Sequence, residues 1–254
     1  MLKLLCEKDT EIISELGKGS VLGTRIICYA LSYGFDKSFV DIWASNNALI
    51  SRFEDVFTLV ASSDADFGEI NEFLDAVGCC NLVTGSDSVR KLGIYEYELK
   101  KAYVYSGKNV VSELVDDLCD EDISEAYSLI SSSIPGSFSS ERDAYLSFLS
   151  DFKYRQNRGF ARGKCIRDNS RIAATAVTSA ETYNSAVISG VSCRKDLRGT
   201  GFGKHIVTAL AEELKHEDKE VYVIALNESA QGFYEHIGFT ETDKIAYIKR
   251  CYNV

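Results

Sequence analysis

The chain has 254 residues, of which 45% are hydrophobic and 26% are charged, a composition typical of a globular protein with one or two domains. Its net charge of −10 at pH 7 argues against a nucleic-acid partner, because nucleic-acid-binding surfaces are usually basic. No apolar run is long enough for a signal peptide or a membrane span, so we expect no membrane association and a cytoplasmic location. The eight cysteines and three histidines lack metal-ligand spacing, which predicts reduced thiols and no metal site.

The N-terminal part alternates between helical and strand-like patterns. The predicted elements are, in chain order, helices at 9–17 and 20–32, strands at 39–44, 48–53 and 56–61, a helix after Asp66 and a strand at 81–84. Asp66 with Glu69 three residues later is typical of a capped helix start, and Gly78 is expected to end that helix.

A polar stretch, 106–109, is the predicted linker to a second half. The elements predicted beyond it are a strand at 110–115, a helix through Ile123 and Ile130, a loop at 131–139, a helix from about 140, strands at 160–167, 172–178 and 186–191, a helix from Gly203 and a strand at 221–226. A further short helix and C-terminal strands complete the series.

The segment from Ser185 to Lys204 combines a buried strand, a glycine-rich turn and a helix start. Its turn reads Arg198-Gly199-Thr200-Gly201-Phe202-Gly203-Lys204. Such a turn presents backbone N–H groups and a helix N-terminus to an anion, although an ordinary glycine turn is the alternative interpretation. The spacing fits neither a Walker loop nor the dinucleotide fingerprint. Residues 152–254 carry 16 basic and 12 acidic side chains, the polarity that an anionic ligand requires.

A second motif follows the strand predicted at 221–226. It consists of Asn227, Ala230, the pair Phe233-Tyr234 and the pair Gly238-Phe239. Together with the Arg-x-x-Gly-x-Gly spacing of the turn, it resembles the Gcn5-related N-acetyltransferases (GNAT), over roughly residues 110–254. The resemblance implies an α+β fold of three layers, the acyl-CoA N-acyltransferase-like fold, in which helices flank a mixed, mostly antiparallel sheet.

The same resemblance implies a site for acetyl-CoA as cosubstrate, without a metal. Backbone groups of Val191, Ser192 and Cys193 would hold the pantetheine arm, and the turn would hold the pyrophosphate through Arg198, Gly199, Thr200, Gly201, Phe202, Gly203 and Lys204. Asn227 would bind the coenzyme or order the strand end. Tyr234 would act as general acid, because a phenol with a pKa of about 10 is protonated at neutral pH; a purely packing role is its alternative.

The sequence does not identify a general base. No carboxylate lies between Tyr183 and Cys193 on the predicted central strand. Glu181 and Glu241 are the nearest candidates, and we expect both to be solvated surface charges.

The first half contains a weak copy of the second. Residues 89–94 align with 234–239, and 101–104 align with 245–248. We interpret this as a tandem, with a degenerate GNAT-like domain at 1–108 and a catalytic domain at 109–254; an unrelated α+β accessory domain is the alternative. The first copy has the acidic turn 62–66 in place of the glycine loop, so we expect it to bind no coenzyme.

We therefore predict an N-acetyltransferase that acetylates a primary amine of a small molecule or peptide. Residues 111–151 carry 10 acidic and 1 basic side chains, which favours a cationic acceptor, although a solvated helix face is the simpler explanation. Six of these ten crowd the first predicted helix of this segment, namely Asp116, Asp117, Asp120, Glu121, Asp122 and Glu125. A non-catalytic acyl-CoA-binding regulator and a protein lysine or N-terminal acetyltransferase are the alternatives. A homodimer is compatible with this interpretation.

Overall fold

The structure, a computed structural model, describes residues 1–107, 114–133 and 141–250. In the first range the elements are β1 (Lys3–Leu4), α1 (Thr10–Gly17), α2 (Val21–Tyr33), β2 (Val40–Ala44), β3 (Ala48–Phe53), β4 (Val56–Ala61), α3 (Phe67–Ala76), β5 (Asn81–Gly85), α4 (Ser86–Lys91) and β6 (Glu98–Tyr105). In the other two they are β7 (Asp116–Asp117), α5 (Ile123–Ser133), α6 (Arg142–Gln156), β8 (Gly163–Asp168), β9 (Arg171–Glu181), β10 (Ser185–Cys193), α7 (Phe202–His216), β11 (Glu220–Ala225), α8 (Glu228–His236) and β12 (Phe239–Lys249).

The internal repeat predicted from the sequence is present in this element order. Both series run strand, two helices, three strands, helix, strand, helix, strand. The aligned segments 89–94 and 234–239 each contain the end of a short helix, α4 or α8. Each helix is followed by a glycine with a left-handed φ, Gly93 or Gly238.

Most predicted elements agree with the structure to within a few residues, and β4 agrees at both ends. The helix α4 is not among the predicted elements. Residues 108–113 and 134–140 lie outside the described residues, and with them most of the strand predicted at 110–115, most of the loop predicted at 131–139 and part of the predicted linker. The described strand nearest to the first of these is β7.

The chain groups into two units, each built from non-contiguous segments. The first unit comprises Met1–Tyr103, Ile224–Tyr234 and Thr240–Val254; the second comprises Val104–Val223 and Glu235–Phe239. The strand order is β1-β2-β3-β4-β5-β12-β6 in the first unit and β11-β10-β9-β8-β7 in the second. The last strand of the chain is therefore an interior strand of the first unit. The domain division at residue 108 stays a prediction.

Each unit contains a parallel strand pair, and the other strand pairs whose register is described are antiparallel. β4 is parallel to β5, and β10 is parallel to β11. The antiparallel pairs include β12 with β5, from Ile245↔Gly85 to Lys249↔Asn81. Helices flank both sheets, so the predicted fold class, a mixed and mostly antiparallel α+β architecture, is confirmed.

The first unit buries the inward faces of α3 and α4 against its sheet. Its core cluster includes Ile50, Leu59, Ile70, Leu74, Leu82, Val89, Ala246 and Ile248. The predicted cap is confirmed, because Asp66 Oδ1 accepts the N–H of Glu69 at 3.0 Å. In the second unit, α5 and α6 cover the sheet through Ile123, Ala126, Phe152, Ile172 and Val177. None of the seven cysteines in the described residues forms a disulfide.

A buried ion cluster ties β8, β9 and α7 together in the second unit. Glu181, which is 0% exposed, accepts hydrogen bonds from Arg162 Nη2 at 2.5 Å and from Lys219 Nζ at 2.7 Å. Arg162 also donates to Glu213 and Glu217 at 2.7 and 2.6 Å. Burial alone would lower the pKa of Arg162, but these carboxylates raise it. The bonds from Arg162 lower the pKa of Glu217 to about 2.

Replacing the central carboxylate of this cluster should strongly destabilise the second unit. Glu181→Gln leaves Arg162 and Lys219 without their buried counter-charge, so we expect the free energy of unfolding to fall by roughly 3 kcal/mol in chemical denaturation. Glu121→Gln, at an exposed position with no ion pair among the described residues, is the control and should change it by less than about 0.5 kcal/mol. Equal effects of the two substitutions would contradict a structural role for the cluster.

Candidate active site

The glycine loop of the second unit connects β10 to α7 and leaves the start of that helix open. A single 3-10 turn, Lys195–Leu197, precedes the loop, and α7 begins directly after Gly201. Gly201 has φ of +93°, a conformation that L side chains rarely adopt, and no side chain caps the helix. The first N–H groups of α7 are therefore available to an external acceptor, and the helix dipole favours an anion there.

Two side chains give this loop an uncompensated positive charge. Arg198 and Lys204 are exposed, and neither forms an ion pair in the part of the chain that is described. Arg194, just upstream, is different, because its Nη2 lies 2.6 Å from Asp196 Oδ2 and 3.2 Å from Asp168 Oδ2. The loop thus combines free N–H groups with two free cations, which suits a pyrophosphate.

A bulge interrupts β10 directly before the loop. The register with β9 passes from Ser189↔Val177 to Ser192↔Thr175, so β10 has one extra residue there. Gly190 occupies the bulge with φ of +58°, and a Cβ at this position would lie 2.9 Å from Ile130 Cδ1 of α5. Only glycine fits both the backbone conformation and the close approach of α5.

On its other side, β10 extends beyond its ladder with β11. The parallel pairing ends at Ile188↔Val223, while β10 continues to Cys193. The backbone of Val191, Ser192 and Cys193 therefore lies past the last paired residue, where an extended ligand can bind to it. Ser192 is 4% exposed, and its Oγ has no hydrogen-bond partner among the described residues. A buried hydroxyl without a partner on this strand fits the presence of a bound polar group.

The second motif belongs to the first unit, and its members lie on or just before α8. Tyr234 is 7% exposed, and its ring centroid lies 6.4 Å from that of Tyr103 and 5.3 Å from that of Phe233. Burial raises the pKa of Tyr234, so the phenol stays protonated at neutral pH. Asn227 Oδ1 accepts the N–H of Ala230 at 2.9 Å and so caps α8. A coenzyme contact of Asn227 stays a prediction.

Our expectation that Glu181 is a solvated charge is wrong, since it is the centre of the buried ion cluster. Glu181 pairs with Ala186 in the β9–β10 register, four residues before Gly190. This corresponds to about 13 Å along the strand, which places Glu181 away from the bulge. Glu241, in the first unit, is 36% exposed and pairs with Lys101 Nζ at 2.6 Å.

The six acidic residues from β7 to the first turn of α5 are less isolated than the sequence suggests. Four of the six form ion pairs with bases from distant elements, namely Asp117 with Lys164, Asp120 with Lys153, Asp122 with Arg167 and Glu125 with Arg171. Most of the one-sign field that favoured a cationic acceptor is therefore neutralised locally. The sequence could not reveal this, because the bases lie on α6, β8 and β9.

The first unit has a counterpart of the glycine loop with reversed charge. The helices α3 and α7 begin with the same dipeptide, Phe67-Gly68 and Phe202-Gly203. Asp66 precedes the first pair and Gly201 the second, while Glu69 follows the first and Lys204 the second. Asp66 also occupies the N-terminus of α3 by capping it. Two carboxylates thus stand where the second unit has a glycine and a lysine.

The neighbouring cavity in the first unit contains one of the chain's own cations. It measures about 360 Å³ and is lined by Ser62, Ser63, Phe67 and residues of α4. Lys91 Nζ donates to the carbonyl of Ser63 at 2.6 Å and lies 5.2 Å from the centroid of the Phe67 ring. Lys91 would attract a phosphate, so the argument against a phosphate-bearing ligand in the first unit rests on the carboxylates of Asp66 and Glu69.

Residues 121–239 match the sequence profile of the acetyltransferase (GNAT) family. This part of the chain is a GNAT domain. It contains α5 to α8, the bulge in β10 and the glycine loop, so the resemblance seen in the sequence is confirmed. A comparison with curated protein sequences gave no match.

Solved structures extend the similarity of fold to nearly the whole chain. A GNAT acetyltransferase from Colwellia psychrerythraea has a TM-score of 0.61 at 11% identity, over 98% of this chain and 100% of that one. A GCN5-related N-acetyltransferase from Sphaerobacter thermophilus has 0.61 at 13%, over 98% and 95%. A tandem GNAT protein from the clavulanic acid biosynthesis pathway has 0.61 at 11%, over 98% of each chain. The tandem organisation of this last protein agrees with the internal repeat described above.

The described residues lack two kinds of feature. They contain no group of three or more histidine, cysteine, aspartate or glutamate side chains placed to hold a metal ion. None of their helices has both the length and the apolar character needed to cross a membrane.

The reversed charge in the first unit predicts a single coenzyme site. Titration of the full chain with coenzyme A in a calorimeter should give one site per chain, because Asp66 and Glu69 repel phosphate and α3 is already capped. Asp66→Gly combined with Glu69→Lys should leave that number at one or add a weak second site. Two sites of similar affinity in the unmodified protein would show that the charge argument is wrong.

Proposed function

We propose that this protein is an acetyl-CoA-dependent N-acetyltransferase that acts on a primary amine of a small molecule or peptide. The proposal rests mainly on one contrast between the two repeats. Both have a strand, a turn and a helix that begins with Phe-Gly, but only the second leaves its helix N-terminus uncapped. Beside it lie two cations, Arg198 and Lys204, that form no ion pair with any described residue. A GNAT domain that retains this feature is suited to bind a pyrophosphate.

In this proposal acetyl-CoA supplies the thioester. The protein positions the coenzyme and protonates its departing thiolate. The N–H groups of α7 with Arg198 and Lys204 would hold the pyrophosphate, and the backbone of Val191 to Cys193 would bind the pantetheine amides. The amine nitrogen attacks the thioester carbonyl, the C–S bond breaks, and the products are an amide and the coenzyme thiol. The hydroxyl of Tyr234 would supply the thiol proton, while the proton lost by the amine passes to solvent.

A non-catalytic acyl-CoA-binding protein is the second candidate. It is favoured by the lack of any carboxylate on β10, together with the fixed position of Glu181 in the ion cluster, which leaves the site without an evident base. Thiol release from acetyl-CoA, measured with polyamines, aminoglycosides and lysine-containing peptides, separates the two candidates. Turnover with any amine supports the enzyme. Tight coenzyme binding without turnover across the panel supports the regulator.

The glycine loop can be tested with a matched pair of substitutions. Gly203→Asp places a carboxylate in the first turn of α7, so the thermal stabilisation by coenzyme A should disappear while the fold is retained. Gly68→Asp makes the same change at the corresponding position of α3 and should leave the stabilisation unchanged. Full stabilisation in the Gly203 variant would assign coenzyme binding to another part of the chain.

The role of Tyr234 can be tested against a neighbouring phenol. Tyr234→Phe should lower kcat by about 100-fold with little change in coenzyme affinity, because only the proton donor is lost. Tyr103→Phe removes the adjacent buried hydroxyl and should leave kcat within about threefold of the wild type. Unchanged turnover in the Tyr234 variant would assign this residue to packing.

A further inference from the structure

Ser192 on β10 has a buried hydroxyl that no described residue satisfies. The residue is 4% exposed, and its Oγ neither donates nor accepts a hydrogen bond in the part of the chain that is described. A serine hydroxyl can donate one hydrogen bond and accept others, and leaving them unmade in a protein interior costs stability. Such a group requires an explanation, and a ligand that completes its hydrogen bonds is one.

The other buried serine and threonine side chains of β9 and β10 all have partners. Thr175, which pairs with Ser192 in the ladder, donates to a backbone carbonyl of β8 at 3.1 Å. Thr178 donates to a backbone carbonyl just before β8 at 3.3 Å. The hydroxyl of Ser185 lies 3.0 Å from a neighbouring threonine hydroxyl. Ser192 is therefore the exception on this strand pair.

The strand register places the Ser192 side chain on the side of the sheet that α5 and α6 cover. Ser192 pairs with Thr175, and Thr175 pairs with Cys165. Directly paired residues share a face of the sheet, and Cys165 belongs to the core cluster that these two helices form with the sheet. Gly190, two residues before Ser192, is also approached by α5, through Ile130. The hydroxyl thus lies just past the bulge, in the layer between the sheet and the helices.

The backbone next to this side chain is the open stretch of β10. Its ladder with β11 ends at Ile188↔Val223, and β10 continues to Cys193 without a described strand paired to it on that side. An extended ligand can bind to such a stretch as an added strand would, in the plane of the sheet. A ligand in that position passes directly beside Ser192, so a polar group on its α5 side comes within reach of the hydroxyl.

We propose that Ser192 forms a side-chain hydrogen bond with the pantetheine arm of the coenzyme, in addition to the backbone contacts of Val191 to Cys193. This inference rests on the proposed function, in which that arm lies along β10. The arm carries amide groups and a hydroxyl, and a serine hydroxyl can bind either as donor or as acceptor. The phosphates, held at the glycine loop, take no part in this bond. Ser192 therefore contributes to the affinity for the arm and not to the affinity for the phosphates.

Two ligands separate these contributions in calorimetric titrations of the full chain. Coenzyme A contains the arm, whereas 3′-phospho-ADP keeps the phosphates and lacks it. Ser192→Ala should weaken the binding of coenzyme A by about 3- to 10-fold, as expected for one neutral hydrogen bond, and should leave the Kd of 3′-phospho-ADP unchanged. The same substitution should raise the Tm of the unliganded protein by about 1 to 3 °C, because it removes a buried hydroxyl that has no partner.

Thr175→Val is the matched control, since it removes the hydroxyl that already has a partner on the neighbouring strand. It should lower the Tm and leave both affinities unchanged. The proposal is overturned if Ser192→Ala binds coenzyme A as tightly as the wild type, if it weakens both ligands equally, or if its unliganded Tm falls. An unchanged coenzyme affinity with a higher KM for the amine would assign the hydroxyl to the acceptor and also overturn it.

The same titrations distinguish a failure of this inference from a failure of the proposed function. If the unmodified protein does not bind coenzyme A, the proposed function is overturned, and this inference with it. If the unmodified protein binds coenzyme A and the Ser192 variant binds it equally well, only the role of Ser192 is overturned.

Discussion

The antiparallel pairing of β12 with β5 is the constraint on which the first unit depends. Five residue pairs join a strand at the end of the chain to one at positions 81–85. Ala246 and Ile248 of β12 complete the core around α3, and without β12 the edge of β5 would be unpaired. The sheet of the first unit therefore has its full set of strands only after nearly the whole chain has been synthesised. Such non-local pairing is slow to form. It also makes the folding of the first unit depend on a strand that comes from the second repeat.

The two repeats use the same local structure for opposite purposes. A helix start leaves unsatisfied N–H groups, which must be bound by a cap, by water or by a ligand. In α3 the chain satisfies them with the carboxylate of Asp66, which stabilises the helix and excludes an anion. In α7 it places Gly201 there and leaves the groups open. The second repeat thus gives up stability that the first retains, which is what a binding site requires.

The buried charge of the second unit is paired within the chain. The cluster around Glu181 is closed, since every cation in it has at least one carboxylate partner. Its charges therefore contribute to stability and not to binding.

The sequence by itself determined the features that depend on neighbouring residues. Periodicity located most helices and strands, the Asp66–Glu69 spacing located a cap, and two short motifs identified the GNAT domain, because each is encoded within a few consecutive positions. Only the tertiary structure decided which charges are paired. Glu181 meets Arg162 and Lys219 from 19 and 38 residues away, and the acidic start of α5 meets bases on three other elements. Burial and ion pairing depend on what the fold brings together across such distances, so no local pattern could have revealed the buried state of Glu181 or the insertion of β12 beside β5.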